Sequence, residues 1–244
     1  MKLNFTGSTD PGLIRSNNQD AYYIDPTGRF FIVADGMGGH AGGEEASRIA
    51  TQKIRAFLEE YWEKPQSNQE ILEQAFFAAN SAILLDQQNH AERSDMGTTV
   101  VAVLWRSPET PVCAHVGDSR LYCLRQGILK QITQDHTWIA RAIEIGDISP
   151  DEARVHPFRH VLSRCLGRED LNHIDVQPLD LQESDLLLLC SDGLTEELIE
   201  QQITACLQTS PELDQVASSL ITAAKDQGGH DNITVVLIAV EQDS

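Results

Sequence analysis

Four times along the chain, an apolar run of strand length meets an aspartate set beside glycine. FFIVA (30–34) ends on Asp35-Gly36, and VCAHV (112–116) leads into Gly117-Asp118. DLLLLC (185–190) leads into Asp192-Gly193, and Asp231, just after Gly228-Gly229, opens onto the run at 232–240. Any one of these sites is most simply a turn, since Asp-Gly is a common turn dipeptide. Four of them abutting strands constrain the fold more tightly. In an antiparallel sheet the end of one strand lies beside the start of its neighbour, so Asp35 and Asp192 at strand exits, Asp118 in a hairpin and Asp231 at a strand entrance can share one edge. Carboxylates gathered there repel one another unless a cation neutralises them. Hard oxygen donors without a cysteine in reach select Mg²⁺ or Mn²⁺ over zinc.

The surrounding pattern is mixed. Strand-like segments fall at 3–7, 21–24, 30–34, 98–105, 112–116, 120–124, 174–179, 185–190 and 232–240. Apolar residues three and four apart predict helices at 43–61 and 70–88, and two more at 198–207 and 211–226. Helices paired between groups of strands, without βαβα alternation, predict an α+β fold of antiparallel sheet with helices laid outside it. Residues 137–167 show short helical patches and no clear strand, which suggests a flap inserted over the shared core. No repeat or flexible linker divides the 244 residues, so one domain over 1–244 is expected.

A net charge of −19 argues against nucleic acid as a partner. It does not exclude a phosphorylated substrate, provided a metal or a few arginines supply local positive charge. The chain shows no membrane-length apolar run, secretory h-region or lipidation signal. Its five scattered cysteines form no C-x-x-C pair, and none is followed by the arginine of a cysteine-based phosphatase. A reducing cytoplasm and a monomer are expected.

Six stretches in order carry a resemblance: RSNNQDA (15–21), VADGMGGHAGGEEAS (33–47), DMGTTVV (95–101), HVGDSRLY (115–122), LLCSDGLTEEL (188–198) and GGHDNITVV (228–236). Together they resemble the PPM/PP2C-type metal-dependent serine/threonine phosphatases, most closely the short single-domain bacterial members. The resemblance implies an αββα sandwich of two antiparallel sheets with the metals at one end. It implies that Asp35 bridges two metals with the Gly36 carbonyl beside it, and that Asp192 and Asp231 are ligands of the first. Asp118, with Asp192, resembles the pair that holds a third, weaker ion. Asp20 matches an acidic position that orients metal-bound water, and Gln19 sits where some members carry a second acid. Arg15 matches the phosphate-binding arginine, and its guanidinium fork suits phosphate oxygens.

His40 stands where two readings meet. A seryl or threonyl oxygen is a poor leaving group, so a histidine near it serves as proton donor. Many members place that histidine directly after the Asp-Gly; here Met37 is there, and His40 also reads as a structural loop residue. His115 reads as a packed strand residue, and His136, His156 and His160 as solvated residues in or beside the flap.

The implied activity is hydrolysis of phosphoserine and phosphothreonine by direct attack of a metal-bridging hydroxide, with no phosphoenzyme. Two core Mg²⁺ or Mn²⁺ ions and a weaker third are implied, acting on a phosphorylated protein; in bacteria the signalling regulator PII is one such substrate. Two alternatives stand beside this. One is a phosphoprotein-binding pseudophosphatase. The other is a dinucleotide-binding oxidoreductase, because Gly36, Gly38 and Ala41 satisfy G-x-G-x-x-G/A after a strand.

Overall fold

Strands that are apolar on both faces have to be covered on both faces, and here each sheet is covered by the other sheet and by helices. The computed structural model describes residues 2–39, 42–106, 109–153 and 156–241. Its elements run β1 (Lys2–Asp10), β2 (Asp20–Ile24), β3 (Phe30–Met37), α1 (Gly42–Tyr61), α2 (Asn68–Asn89), β4 (Gly97–Thr98), β5 (Val100–Leu104) and β6 (Val112–Val116). They continue with β7 (Arg120–Arg125), β8 (Ile128–Gln131), α3 (Trp138–Glu144), α4 (Pro150–Ala153), β9 (Asp175–Pro178) and β10 (Leu186–Cys190). The chain ends with α5 (Asp192–Thr195), α6 (Glu200–Leu207), α7 (Leu213–Gln227) and β11 (Ile233–Glu241).

One sheet has the order β1-β11-β10-β7-β8 and the other β2-β3-β5-β6-β9, with β4 pairing beside β3. All pairings are antiparallel. The two-residue period of the strands sorts their side chains into layers. In β3, Phe30, Ile32 and Ala34 pack under α1 and α2, whereas Phe31 and Val33 face the other sheet. In β11, Ile233, Val235 and Leu237 pack under α6 and α7, while Val236 and Ile238 face inward. The result is the expected αββα sandwich: helices, sheet, sheet, helices, with an apolar layer at each interface.

The predicted elements are present with shifted ends. Helix α2 starts at Asn68 because Ser67 and Glu70 form a reciprocal capping box ahead of the apolar pattern. β8 escapes a periodicity reading because its four residues, ILKQ, alternate on an exposed edge. Asp118 does not lie in a hairpin as expected. β6 and β7 belong to different sheets, so the turn between them crosses the sandwich. Among the described residues no helix is long and apolar enough to cross a membrane.

Leu189 is fully buried in the layer between the sheets. Leu189→Ala is expected to cost about 2–5 kcal/mol, read as a lower urea midpoint at unchanged slope.

Candidate metal centre

At one end of the sandwich, a cavity of about 790 Å³ is bordered by Asp35, Asp118, Asp192 and Asp231, with Gly36 and Arg15 on its wall. Strand ends from both sheets deliver these groups. Asp35 is held through its backbone: its carbonyl accepts from Thr98 Oγ1 (2.8 Å) and Thr99 N (2.8 Å), and its own N–H donates to Thr99 Oγ1 (3.2 Å). Gly36 continues β3 into a pair with Thr98. A Cβ on Gly36 would lie 2.0 Å from the Gly43 carbonyl oxygen, and one on Gly43 would lie 2.7 Å from that of Gly36. Glycine is thus needed at both positions so that α1 can start against β3, a packing reason that adds to the expected carbonyl approach.

Asp192 follows β10 and opens α5. The next residue, Gly193, packs so closely on the Asp231–Asn232 turn that a Cβ would fall 2.0 Å from the Asn232 carbonyl oxygen. Asn232 ties this turn to the β1–β2 loop. Its side chain donates to Pro11 O (3.0 Å) and Asn17 O (2.9 Å) and accepts from Gln19 N (2.7 Å). Asp20 pairs in register with Asp35 and lies behind the cavity. Its Oδ2 accepts from Ser191 Oγ and Thr234 Oγ1, both at 2.6 Å. Thr98, Thr99, Ser191, Thr234 and Asn232 were not singled out by sequence as parts of the site. Their signal is weak: Ser191 and Asn232 are small polar residues flanking Asp192 and Asp231, Thr234 lies inside the strand that follows, and Thr98 and Thr99 read as the start of a strand.

The charges are crowded. Burial, with the charges of Asp192 and Asp231, lifts Asp20 to about 7, against two hydrogen bonds that lower it. Burial and the neighbouring charges of Asp20, Asp192 and Asp118 raise Asp35, and burial with Asp192 raises Asp118. Asp192 is also raised by burial and by the charge of Asp231, against the nearby Asp35 carboxyl, which lowers it. Glu196, beside Asp192 and Asp231, is pushed by burial up to about 8. Asp20 Oδ1 and Asp192 Oδ1 are buried and make no hydrogen bond among the described residues. An oxygen-rich, mutually repelling donor set with orphaned carboxylate oxygens fits hard divalent cations.

One expectation changes: a cysteine is in reach, because Cys165 borders the cavity. Burial raises its thiol pKa, so it stays protonated and is a poor ligand beside the carboxylates.

Arg15 Nη2 lies 2.6 Å from Asp231 Oδ2, with its side chain half exposed. From the flap, His160, Ser163 and Arg164 border the cavity, and His160 Nδ1 meets Glu196 Oε1. His40 and Ala41 lie outside the described residues. His136 is not a solvated loop residue but 4% exposed, and it stacks on buried His115. The dinucleotide alternative fails on topology: both neighbours of β3, β2 and β5, run antiparallel to it, so no βαβ unit exists there.

A family model described as protein phosphatase 2C matches residues 15–234. The chain is 36% identical over 239 residues to the serine/threonine phosphatase stp of Listeria monocytogenes serotype 4b, covering 94% of this chain and 93% of that one. It is 38% identical to the serine/threonine protein phosphatase PstP of Mycobacterium tuberculosis over 98% of this chain, which spans 45% of that longer protein. The crystal structure of the M. tuberculosis phosphatase PstP/Ppp superposes with a TM-score of 0.87 at 36% identity, over 98% of this chain and 99% of that one. The PstP catalytic domain in complex with two manganese ions gives 0.86 at 34% identity, over 98% and 99% of the two chains.

A carboxyl raised in the folded state stabilises the fold below its ordinary pKa, and that stabilisation is lost as pH climbs through the raised value. For Asp20 the window runs from 3.8 to about 7, and for Glu196 from 4.5 to about 8. In chelator, the Tm is therefore expected to fall between about pH 5 and about pH 8. Added Mn²⁺ should raise it more at the upper end, and Asp20→Asn should flatten the slope. An equally steep slope in that variant would count against the assignment.

Proposed function

This chain belongs to the protein phosphatase 2C family, and from that premise we propose how its own residues divide the labour of a metal-dependent protein-serine/threonine phosphatase. Asp35, Gly36, Asp192 and Asp231 hold two core cations, and Asp118 with Asp192 holds a weaker third. Mg²⁺ and Mn²⁺ both suit these donors. The observation that carries this reading is the convergence of the motif aspartates on one cavity, with orphaned buried carboxylate oxygens. The intact Asp35, Asp192 and Asp231 argue against the pseudophosphatase alternative.

Divalent cations bound there supply the Lewis acidity that makes water nucleophilic near neutral pH. The protein's part is position and charge. Asp20 sits behind Asp35, fixed by Ser191 and Thr234, and orients water at the floor of the cavity. Arg15 is parked on Asp231 by an exposed ion pair of small worth, so it swings readily to phosphate oxygens. His40 is a candidate donor of the proton that the seryl or threonyl oxygen takes as it leaves. Residues 160–165 of the flap (137–167) line one wall of the cavity within a single catalytic domain, and the flap shapes the choice of substrate. That substrate is a phosphorylated cytoplasmic protein, a signalling regulator such as PII among them, and the enzyme works as a cytoplasmic monomer. The acidic surface and the absence of a membrane-length helix among the described residues support a partner that is neither nucleic acid nor membrane.

Hydrolysis of a phosphoserine peptide should require added Mn²⁺ or Mg²⁺ and stop in chelator. Asp35→Asn or Asp192→Asn should reduce it by more than about a hundredfold while the protein stays folded; wild-type rates in either would sink the assignment. Loss of the Arg15 contact removes a charge-assisted hydrogen bond, so Arg15→Ala is expected to raise KM roughly tenfold or more. His40→Ala should slow phosphoserine hydrolysis more than that of an activated aryl phosphate, whose leaving group needs no proton.

A further inference from the structure

Beside the cavity lies a second cluster that the reading above leaves unused. His115 in β6 and His136, just after β8, are 2% and 4% exposed and stack with ring centroids 4.5 Å apart. Nitrogens of both and an oxygen of Asp175, at the start of β9, lie within 4.8 Å of one another. Two histidines and a carboxylate form a donor set for a transition metal. The hydrogen bonds exclude that use. Gly117 N–H donates to His136 Nδ1 (3.1 Å), so the ring proton is on Nε2, which donates to Asp175 Oδ2 (2.8 Å). Neither nitrogen of His136 retains a lone pair for a cation. A ring that accepts at Nδ1 is neutral, in keeping with a pKa that burial and the facing His115 depress to about 4.

What this cluster grips is Gly117. The backbone N–H of His136 donates to Gly117 O (2.9 Å) while its ring accepts from Gly117 N–H, so one residue closes both polar groups of that glycine. On the other side, Gly117 has φ +104° and packs so tightly that a Cβ would lie 2.5 Å from Thr99 Cβ. Thr99 Oγ1 is also 2.6 Å from Ser119 Oγ. The turn that carries Asp118 is thus pinned at the residues before and after it. The outer end of the grip is Asp175, which also takes Arg164 Nη1 (3.1 Å) and His173 Nε2 (2.8 Å). Arg164 borders the cavity from the flap, and the His136 carbonyl accepts from Ser163 N at the flap base (2.8 Å).

We propose that Asp175 and His136 form a positioning pair for Asp118, setting through Gly117 where that carboxylate points and hence how tightly the weakest cation binds. The proposal rests on the reading of Asp118 as a ligand of a third ion. Outer partners that orient a ligand in this way commonly change metal affinity by about 10–100-fold when removed.

Mn²⁺ titrated into metal-free protein, by calorimetry and by electron paramagnetic resonance of the free ion, resolves the weak site from the tight ones. His136→Ala should weaken the weakest site about tenfold and leave the tight sites unchanged. His136→Asn, whose Oδ1 can accept from Gly117 N–H, should recover most of that loss. Asp175→Ala, on the edge strand β9, should weaken the same site by a smaller factor; it carries the test if His136→Ala does not fold. Wild-type affinity in folded His136→Ala or, failing that, in Asp175→Ala, beside weakened binding in Asp118→Asn, overturns the positioning role alone. Unchanged binding in Asp118→Asn overturns the third-ion reading and the positioning role with it.

Discussion

Mutual repulsion among carboxyl groups at one end of the sandwich is the constraint around which the local structure is arranged. Asp20, Asp35, Asp118 and Asp192 are all raised by burial and by the charge of at least one neighbouring aspartate, Asp231 in the case of Asp192. Left to flexible loops, they would turn outward to water. Each is instead held by backbone or by short hydroxyl contacts. Thr98 and Thr99 fix Asp35, Ser191 and Thr234 fix Asp20, and Asn232 binds the Asp231 turn to the loop that carries Arg15. The strain of keeping like charges together is offset by the large apolar layers behind them.

Those layers explain why the strands read as they do. A strand buried on both faces needs no polar residue until it emerges, so β3, β5, β10 and β11 run apolar almost to their ends. Where they emerge, the first polar groups are the site. Glycines then let elements meet at distances no side chain permits: Gly36 against Gly43, and Gly193 against Asn232.

Much of this was legible from sequence. The apolar runs marked the core strands, and the aspartates at their ends marked the carboxylate edge, because both signals are local. The sheet partners were less legible. Asp118 read as a hairpin residue since VCAHV and RLYCL are close in sequence, yet β6 and β7 pair in different sheets. Nothing local distinguishes a tight hairpin from a tight crossover. His136 read as a solvated histidine because its neighbours are polar; its burial comes from His115 and Asp175, on strands remote in sequence. The clamp residues Ser191, Thr234 and Asn232 were illegible for the same reason, since each acts across the gap between strands.

The crossing at Asp118 has a mechanical consequence. One sheet carries Asp35 and the other Asp192 and Asp231, while the short connection from β6 to β7 stitches the two together at the same end. Spacing among the carboxylates is therefore a gauge of sheet alignment. A slip of one sheet over the other, begun by a change deep in the shared apolar layer, reaches the carboxylate edge without any loop having to move. In this architecture the geometry of the carboxylate edge reports on the fit of side chains that never reach it.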